Sequence, residues 1–407
     1  MRTYGQLLRT AGFTPLFVAT SVQVTASTTS GLALGVLVYA TTRSPLLAAL
    51  SMFGPSLAQV AGATVLLSAA DRLPPRAALA GIAAVLGLGT AVLAVPGLPV
   101  WALFAVLLGL GPVASLGGGV RWGLLNELLP REGYLLGRSV MNMAMGVVQI
   151  AGFAGGGALV AALSPRGALL AAAALHLAEA AVLRYGLGHR PPRAAGRPSV
   201  AATWRANVLL WSSAPRRHVY LALWVPNGLI VGCESLFVPY APEHAGVLFA
   251  AGAAGMLAGD VVVGRFVPAS WRERLGSPLR LLLAVPYLAF ALEPGLPVAV
   301  AVVASASTGY AASLLLQERL MALTPEEMGG HALGLHSAGM LTLQGVGAAL
   351  AGALAQLTSA ATAMTAMAAA SVAVTLALAR GLRPGPVTAA PAGGPARAGA
   401  RGASPRP

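Results

Sequence analysis

The chain has 407 residues, of which 57% are hydrophobic and only 9% are charged. A soluble domain could not hide so much apolar surface from water in its core, so the composition predicts an integral membrane protein. The net charge is +14, and all 26 basic residues are arginine. Because the arginines cluster in loops between apolar runs, the basic bias of cytoplasmic loops explains them, and we expect no nucleic-acid partner.

Apolar runs of about 20 residues, the length that crosses a bilayer as a helix, occur along the whole chain. They predict an all-α membrane protein with twelve spans. The ninth span is short and contains Pro286. The predicted spans are 13–40, 46–69, 77–95, 100–120, 139–163, 167–186, 218–240, 246–267, 278–293, 296–316, 331–355 and 358–380.

The positions of the arginines predict the orientation in the membrane. On one side of the predicted bilayer only Arg43 and Arg166 lie between spans, whereas the other arginines, Arg121 among them, fall in loops or termini on the opposite side. Basic loops stay in the cytoplasm, so we expect both termini to be cytoplasmic and the protein to lie in the cell membrane.

A stretch rich in proline and arginine divides the twelve predicted spans into two sets of six. We predict an N-terminal six-helix bundle (1–186), a cytoplasmic central loop (187–217), a C-terminal six-helix bundle (218–381) and a disordered cytoplasmic tail (382–407). Within the loop, Trp204, Val208 and Trp211 have the spacing of an interfacial helix, although an unstructured connector is the alternative.

The two halves share a sequence register, which indicates an internal duplication. A shift of 195 residues aligns Pro130 with Pro325, Glu132 with Glu327, Met145 with Met340, Gln149 with Gln344, Gly152 with Gly347, and Gly157-Ala158-Leu159 with Gly352-Ala353-Leu354. A repeat displaced by six spans keeps the same orientation, which is a parallel duplication of the kind found in secondary transporters.

The segment between the second and third spans carries the most specific motif. It reads Leu67-Ser68-Ala69-Ala70-Asp71-Arg72-Leu73-Pro74-Pro75-Arg76. This segment resembles the loop motif Gly-x-x-x-Asp-Arg-x-Gly-Arg-Arg of the major facilitator superfamily. Asp71, Arg72 and Arg76 match that motif, whereas Leu67 and Pro74 replace its glycines. The resemblance covers residues 10–380 and implies two parallel six-helix repeats, with Asp71, Arg72 and Arg76 as a gating loop near the start of the eleventh helix.

Two further segments, Thr41 to Leu46 and Asn126 to Glu132, are similar to the bacterial drug and siderophore exporter branch of this family. The fifth span continues as Gly152-Phe153-Ala154-Gly155-Gly156-Gly157, where the family's antiporter signature is Gly-Pro-x-x-Gly-Gly. Phe153 replaces the proline. Gly152, Gly156 and Gly157 therefore suggest antiport, and close helix packing is the alternative interpretation.

Carboxylates inside predicted spans are the candidates for proton coupling, because charge inside a bilayer is expensive. Glu234 lies within the seventh span, about two turns after Pro226-Asn227-Gly228, a sequence able to break or kink a helix. Asp260 in the eighth span is the second candidate, with pairing to Arg265 as its alternative role. A permanently paired or protonated structural acid is the alternative for Glu234.

Hydrogen-bonding side chains are concentrated in the first, seventh and tenth spans, three of the four that line the central cavity in the family. The candidates for cavity lining are Gln23, Thr28, Asn227, Tyr240, Ser307 and Tyr310. Hydrogen bonding between helices is the alternative for each single residue. Because no arginine is predicted near the midplane, the pocket favours an uncharged or weakly cationic cargo.

The sequence contains no lysine, so it has no Walker P-loop, and it carries no readable zinc site or nucleophile elbow. We therefore expect no enzymatic activity, cofactor or metal. The expected function is proton-coupled efflux of a small apolar or weakly cationic molecule by a monomeric antiporter that alternates access across the bilayer. An importer of a neutral nutrient and a transport-inactive membrane scaffold are the alternatives.

Overall fold

The computed structural model describes residues 4–70, 74–129, 131–191 and 200–382, and these residues form helices and turns without a strand. After a short helix, Tyr4–Leu8, the N-terminal half contains α1 (Phe13–Thr42), α2 (Pro45–Ala70), α3 (Pro75–Leu93), α4 (Val100–Leu128), α5 (131–163) and α6 (165–186). The helix Val200–Ser212, here called the connecting helix, leads to the C-terminal half.

The C-terminal half repeats this arrangement with more irregular helices. It contains α7 (Ala214–Glu234), a short helix Phe237–Tyr240, α8 (Ala245–Phe266), α9 (Ala269–Ala284), α10 (Leu296–Ser307 and Ala312–Ala322), α11 (Gly329–Leu357) and α12 (Ala360–Ala379). Three 3-10 segments belong to this half: Val285–Leu292 extends α9, Thr308–Ala311 interrupts α10, and Glu326–Met328 precedes α11.

Eleven helical stretches among the described residues are long and apolar enough to cross a membrane. One of them, Leu136–Gly186, has 51 residues and would be roughly 75 Å long as a straight helix, about twice what a bilayer needs. Its backbone leaves the helical conformation at Ser164, with φ 77° and ψ 164°, where α5 gives way to α6. The predicted twelve-span, all-α architecture is thereby confirmed.

Three predicted helix details differ from the structure. The ninth span starts earlier than residue 278, and it narrows to a 3-10 helix beginning beside Pro286, because proline lacks the N–H that an α-helix needs. The seventh helix continues through Pro226 and is interrupted only after Glu234. The fourth helix continues to Leu128, so Arg121 lies within a helix and not in a loop.

The two halves meet mainly through two helix pairs, α2 with α11 and α5 with α8. Since the chain crosses an even number of times in each half, both halves begin and end on the side of the connecting helix. We call this the loop side and the opposite one the far side. At the far side the Ser44 hydroxyl donates a hydrogen bond to Oε1 of Gln356 over 2.7 Å, which joins the halves.

Equivalent contacts in the two halves confirm the duplication. Gly152 on α5 packs against α1, where Thr29 Oγ1 donates a hydrogen bond to its carbonyl over 3.4 Å. Gly347, its partner in the repeat, packs against the carbonyl of Gly228 on α7. In each half, a glycine without a side chain lets the fifth helix of the repeat approach the first closely.

The connecting helix decides between the two predictions for residues 204–211, because the segment is helical and not an unstructured connector. Its Trp211 ring stacks 5.6 Å from Trp224 of α7, which fastens the helix to the C-terminal half. Trp204 remains 70% exposed and Val208 54% exposed. An interfacial position of this apolar face stays a prediction.

Candidate transport cavities

The first cavity lies between the halves and has a volume of about 390 Å³. We call it the inter-half cavity. Most of its wall comes from α7, α8, α10 and α11, and Phe53, Gln149 and Phe153 close it from the N-terminal half. Its lining side chains include two carboxylates, Glu234 and Asp260, and no basic residue. Its volume falls within the range of small-molecule pockets.

Glu234 lies where two helices depart from regular geometry. It is the last residue of α7, before the turn that leads to Phe237–Tyr240. The hydroxyl of Tyr310, in the 3-10 turn of α10, donates a hydrogen bond of 3.0 Å to Oε1 of Glu234. A 3-10 turn inside a longer helix often marks a hinge. The carboxylate therefore connects the two irregular positions of the C-terminal half.

Asp260 lines the same cavity from α8 and is only partly buried. The pairing with Arg265 that the sequence suggested is not found, and Asp260 has no hydrogen bond or ion pair to any other described residue. A carboxylate that lines a cavity without a partner is available to a cargo or a proton.

Amide side chains also line the inter-half cavity. Gln344 Nε2 donates a hydrogen bond of 3.3 Å to Oδ1 of the buried Asn227. Gln149 reaches the same cavity from α5, so the two glutamines that the repeat aligned meet at one site. In the sequence this pair indicated only the duplication, although a glutamine within a span also indicates a polar pocket.

A second cavity of about 460 Å³ lies within the N-terminal half, and we call it the N-half cavity. Helices α1, α2, α3, α4 and α6 line it. Nη2 of Arg121 forms an ion pair of 2.9 Å with Oε1 of Glu179, and Nη1 donates a hydrogen bond of 3.1 Å to Oε1 of Gln23. Nδ1 of His176 lies 3.2 Å from Oε2 of Glu179.

Arg121 corrects the expectation that this arginine lies in a loop. The predicted fourth span stopped at residue 120, because an arginine usually marks the end of an apolar run. In the structure the helix continues for eight more residues, roughly 12 Å, and Glu179 stabilises the buried charge. Glu179 therefore forms an ion pair with Arg121 and also contacts His176.

The six predicted lining residues lie in different places. Asn227 and Tyr310 line the inter-half cavity, and Gln23 lines the N-half cavity. Thr28 donates hydrogen bonds to carbonyls of its own helix. Tyr240 donates one to the Pro294 carbonyl over 2.6 Å, and Ser307 is fully buried outside both cavities.

The glycines of the fifth helix lie in helix contacts. A Cβ added to Gly156 would lie 3.1 Å from the Cα of Thr29 on α1, and one added to Gly157 would lie 3.2 Å from the Cα of Gly246 on α8. These positions support the packing interpretation of the motif. Of the predicted gating loop, Asp71 and Arg72 lie outside the described residues, and Arg76 lies in the first turn of α3.

No known family model matches the sequence, and no curated protein matches it. The fold is similar to a POT family transporter solved in complex with 5-aminolevulinic acid, with a TM-score of 0.74 and 12% identity over 91% of this chain and 95% of that chain. A mutant of the nucleoside transporter NupG gives a TM-score of 0.72 at 12% identity, over 91% of this chain and 99% of that chain.

A bacterial homolog of the human lysosomal transporter Spinster, in an inward-facing and unoccupied conformation, gives a TM-score of 0.68 at 14% identity over 91% of this chain and 95% of that chain. Similarities at this level of identity concern the fold. The chain has the major facilitator fold and is a multi-pass membrane protein. The resemblance to the exporter branch in particular stays a prediction.

Proposed function

We propose that this protein is a secondary active transporter that exports a small apolar or weakly cationic molecule in exchange for protons by alternating access. The observation that carries the proposal is the inter-half cavity, which two carboxylates line and no basic side chain does. A cell membrane location with both termini in the cytoplasm belongs to the same proposal.

The carboxylates give a physical reason for exchange. An uncompensated negative charge is expensive away from water, so Glu234 and Asp260 are stabilised when either a proton or a cationic cargo neutralises them. If both ligands use the same acids, binding of one releases the other. Protons that enter from outside would then displace the cargo on the outer side and drive its export.

The contacts between the halves support alternating access. At the far side Gly157 meets Gly246, and the equivalent Gly352 meets Leu46 and Ala49 of α2. The hydrogen bond from Ser44 to Gln356 lies at the same level. A structure held together at one end can open the cavity towards the other, and rocking of the halves would reverse this arrangement.

Flux through proteoliposomes of known orientation tests the proposal, with ethidium as a lipophilic cationic probe. In inside-out vesicles the lumen corresponds to the cell exterior. A proton gradient with the lumen acidic should therefore drive ethidium into the lumen. Glu234→Gln should lower this proton-driven flux about tenfold or more, the loss expected when about 1.4 kcal/mol of coupling is removed. Glu243→Gln is the matched control, since Glu243 is exposed and lines neither cavity.

Each outcome of this experiment decides one part of the proposal. Equal flux in wild type and Glu234→Gln would remove Glu234 from the coupling mechanism. Uptake by right-side-out vesicles alone would replace export with import. Absence of ethidium flux in wild type, repeated with a neutral apolar dye, would contradict the proposed cargo class.

A further inference from the structure

We propose that the N-half cavity is a second binding site, distinct from the inter-half cavity, and that it takes a small organic carboxylate held by Arg121. The proposal goes beyond proton-coupled export, because the inter-half cavity and its acids play no part in it. The bound carboxylate belongs either to a second transported molecule, different from the cargo of the inter-half cavity, or to a ligand that binds without crossing the membrane, and both sources present the same chemical group to the site.

Arg121 is placed to bind an anion. Its side chain is only 11% exposed and contributes to the wall of the cavity. Gln23 and Glu179 occupy its two terminal nitrogens, whereas its Nε is buried without a hydrogen-bond partner among the described residues. A buried N–H without an acceptor is unfavourable, and an acceptor brought in by a ligand would remove that penalty.

Glu179 shows which chemical group the site accepts. Its carboxylate is almost fully buried and lies 2.9 Å from the guanidinium, which is the spacing of a charge-assisted hydrogen bond. An arginine can bind two acceptors along different edges of its planar group. A ligand carboxylate would therefore either share Arg121 with Glu179 or take its place.

The charge balance of the cavity adds a proton to this binding event. The titratable side chains that line it are Arg121, His176 and Glu179, whereas α1, α2 and α3 contribute only uncharged ones such as Gln23 and Gln59. One guanidinium already balances one carboxylate. A second carboxylate would leave a buried negative charge, so one proton should be taken up when it binds.

The size and lining of the cavity suit a small ligand. A volume of about 460 Å³ is sufficient for an aromatic or short aliphatic acid. Leu34, Ile82 and Leu86 offer apolar contacts, and hydroxyls such as those of Ser27 and Thr90 lie on the same wall. An acid with an apolar body therefore fits the site better than an inorganic anion does.

Calorimetric titration of the purified full-length protein with benzoate tests the site, and benzamide serves as the uncharged control ligand. Wild type should bind benzoate and take up a proton, measured by repeating the titration in buffers with different ionisation enthalpies. Arg121→Gln should weaken binding about tenfold to a hundredfold, the loss of one charge-assisted hydrogen bond. Glu179→Gln should bind more tightly and without proton uptake.

Two further variants separate the possible outcomes. Arg138→Gln is the matched control, because Arg138 is exposed, stacks 5.7 Å over Trp122 and does not line the cavity. Glu234→Gln should keep benzoate binding even where it abolishes proton-driven ethidium flux, so failure of the export proposal and failure of this one are distinguishable. If Arg121→Gln does not fold, the comparison of wild type with Glu179→Gln decides the question.

The proposal is overturned if benzoate binds neither wild type nor Glu179→Gln, or if it binds Arg121→Gln as tightly as wild type. Radiolabelled benzoate in proteoliposomes distinguishes the two sources of the carboxylate. Translocated benzoate would identify the site as part of the cargo pathway. Benzoate that binds and alters ethidium flux without crossing would identify a separate ligand.

Discussion

Two carboxylates line the inter-half cavity, but only Glu234 has a hydrogen-bond donor among the described residues. The Tyr310 hydroxyl therefore orients the carboxylate of Glu234. Asp260 has no such partner among the described residues. An oriented carboxylate can pass a proton along a defined path, whereas an unpartnered one is better suited to contact a cargo. This difference predicts separate phenotypes for the two acids and for the tyrosine.

We predict that Tyr310→Phe lowers the proton-driven flux of ethidium about threefold to tenfold. The substitution keeps the aromatic ring and removes only the hydrogen bond to Glu234, which is worth about 1 kcal/mol net. The measurement is the initial rate at saturating probe under a fixed proton gradient. Tyr240→Phe is the control, because its hydroxyl donates to the Pro294 carbonyl outside the inter-half cavity. Equal losses in both variants would contradict the role of Tyr310.

Two helices of the C-terminal half are irregular where they contribute to the inter-half cavity. Helix α7 stops at Glu234, and α10 passes through the 3-10 turn Thr308–Ala311 that carries Tyr310. Helices α5 and α11 are instead held by glycines against their partners in the opposite half. Irregular helix positions therefore lie beside the inter-half cavity, and close helix contacts lie at the far side.

We predict that Gly246→Ala slows transport by holding the far side apart. The new Cβ would lie 2.8 Å from the Cα of Gly157 and 2.9 Å from the carbonyl oxygen of Phe153, so α5 and α8 would have to separate. Overpacking of this kind costs about 1–3 kcal/mol and should lower the flux about tenfold or more. Ethidium flux and the thermal unfolding midpoint are the measurements.

Gly155→Ala is the matched control for this contact, because no atom lies within 4 Å of a Cβ added to Gly155 in the same helix α5. We expect normal flux and an unchanged midpoint for the control. A Gly246→Ala protein that transports at the wild-type rate would show that α5 and α8 need not approach so closely during the cycle.

The pseudo-symmetric arrangement of the whole molecule follows from its duplication. Helix α5 packs on α8 as α11 packs on α2, and Gly157 and Gly352 occupy equivalent positions in the two contacts. The two cavities break this symmetry. The inter-half cavity contains two acids that form no ion pair among the described residues, whereas the N-half cavity contains an arginine paired with Glu179.

We predict that the far side faces the cell exterior. In a background where Ala replaces the single buried Cys233, Arg43→Cys should react with a membrane-impermeant maleimide in intact cells. Arg205→Cys should react only after permeabilisation, because the connecting helix lies on the loop side. Both arginines are exposed, so accessibility within the protein is matched. The reverse labelling pattern would invert the proposed orientation.

Sequence patterns were sufficient for the architecture of this protein. The length of each apolar run alone predicted the spans. A helix in lipid must satisfy its own backbone hydrogen bonds, so each span can be recognised from its own segment of sequence. The duplication was also readable, because Gln149 and Gln344 keep one register. Glu234 could be selected for the same local reason, as a charge inside an apolar run is costly wherever it lies.

The tertiary structure decided which polar groups meet. Arg121 and Glu179 are 58 residues apart, and the sequence pattern did not connect them, whereas the packing of α4 against α6 brings them within 2.9 Å. Thr28 and Ser307 are polar residues of the predicted lining helices, but their side chains face neighbouring helices. Which face of a helix meets a cavity depends on rotation and tilt, and these are set by contacts between distant segments and not by local sequence.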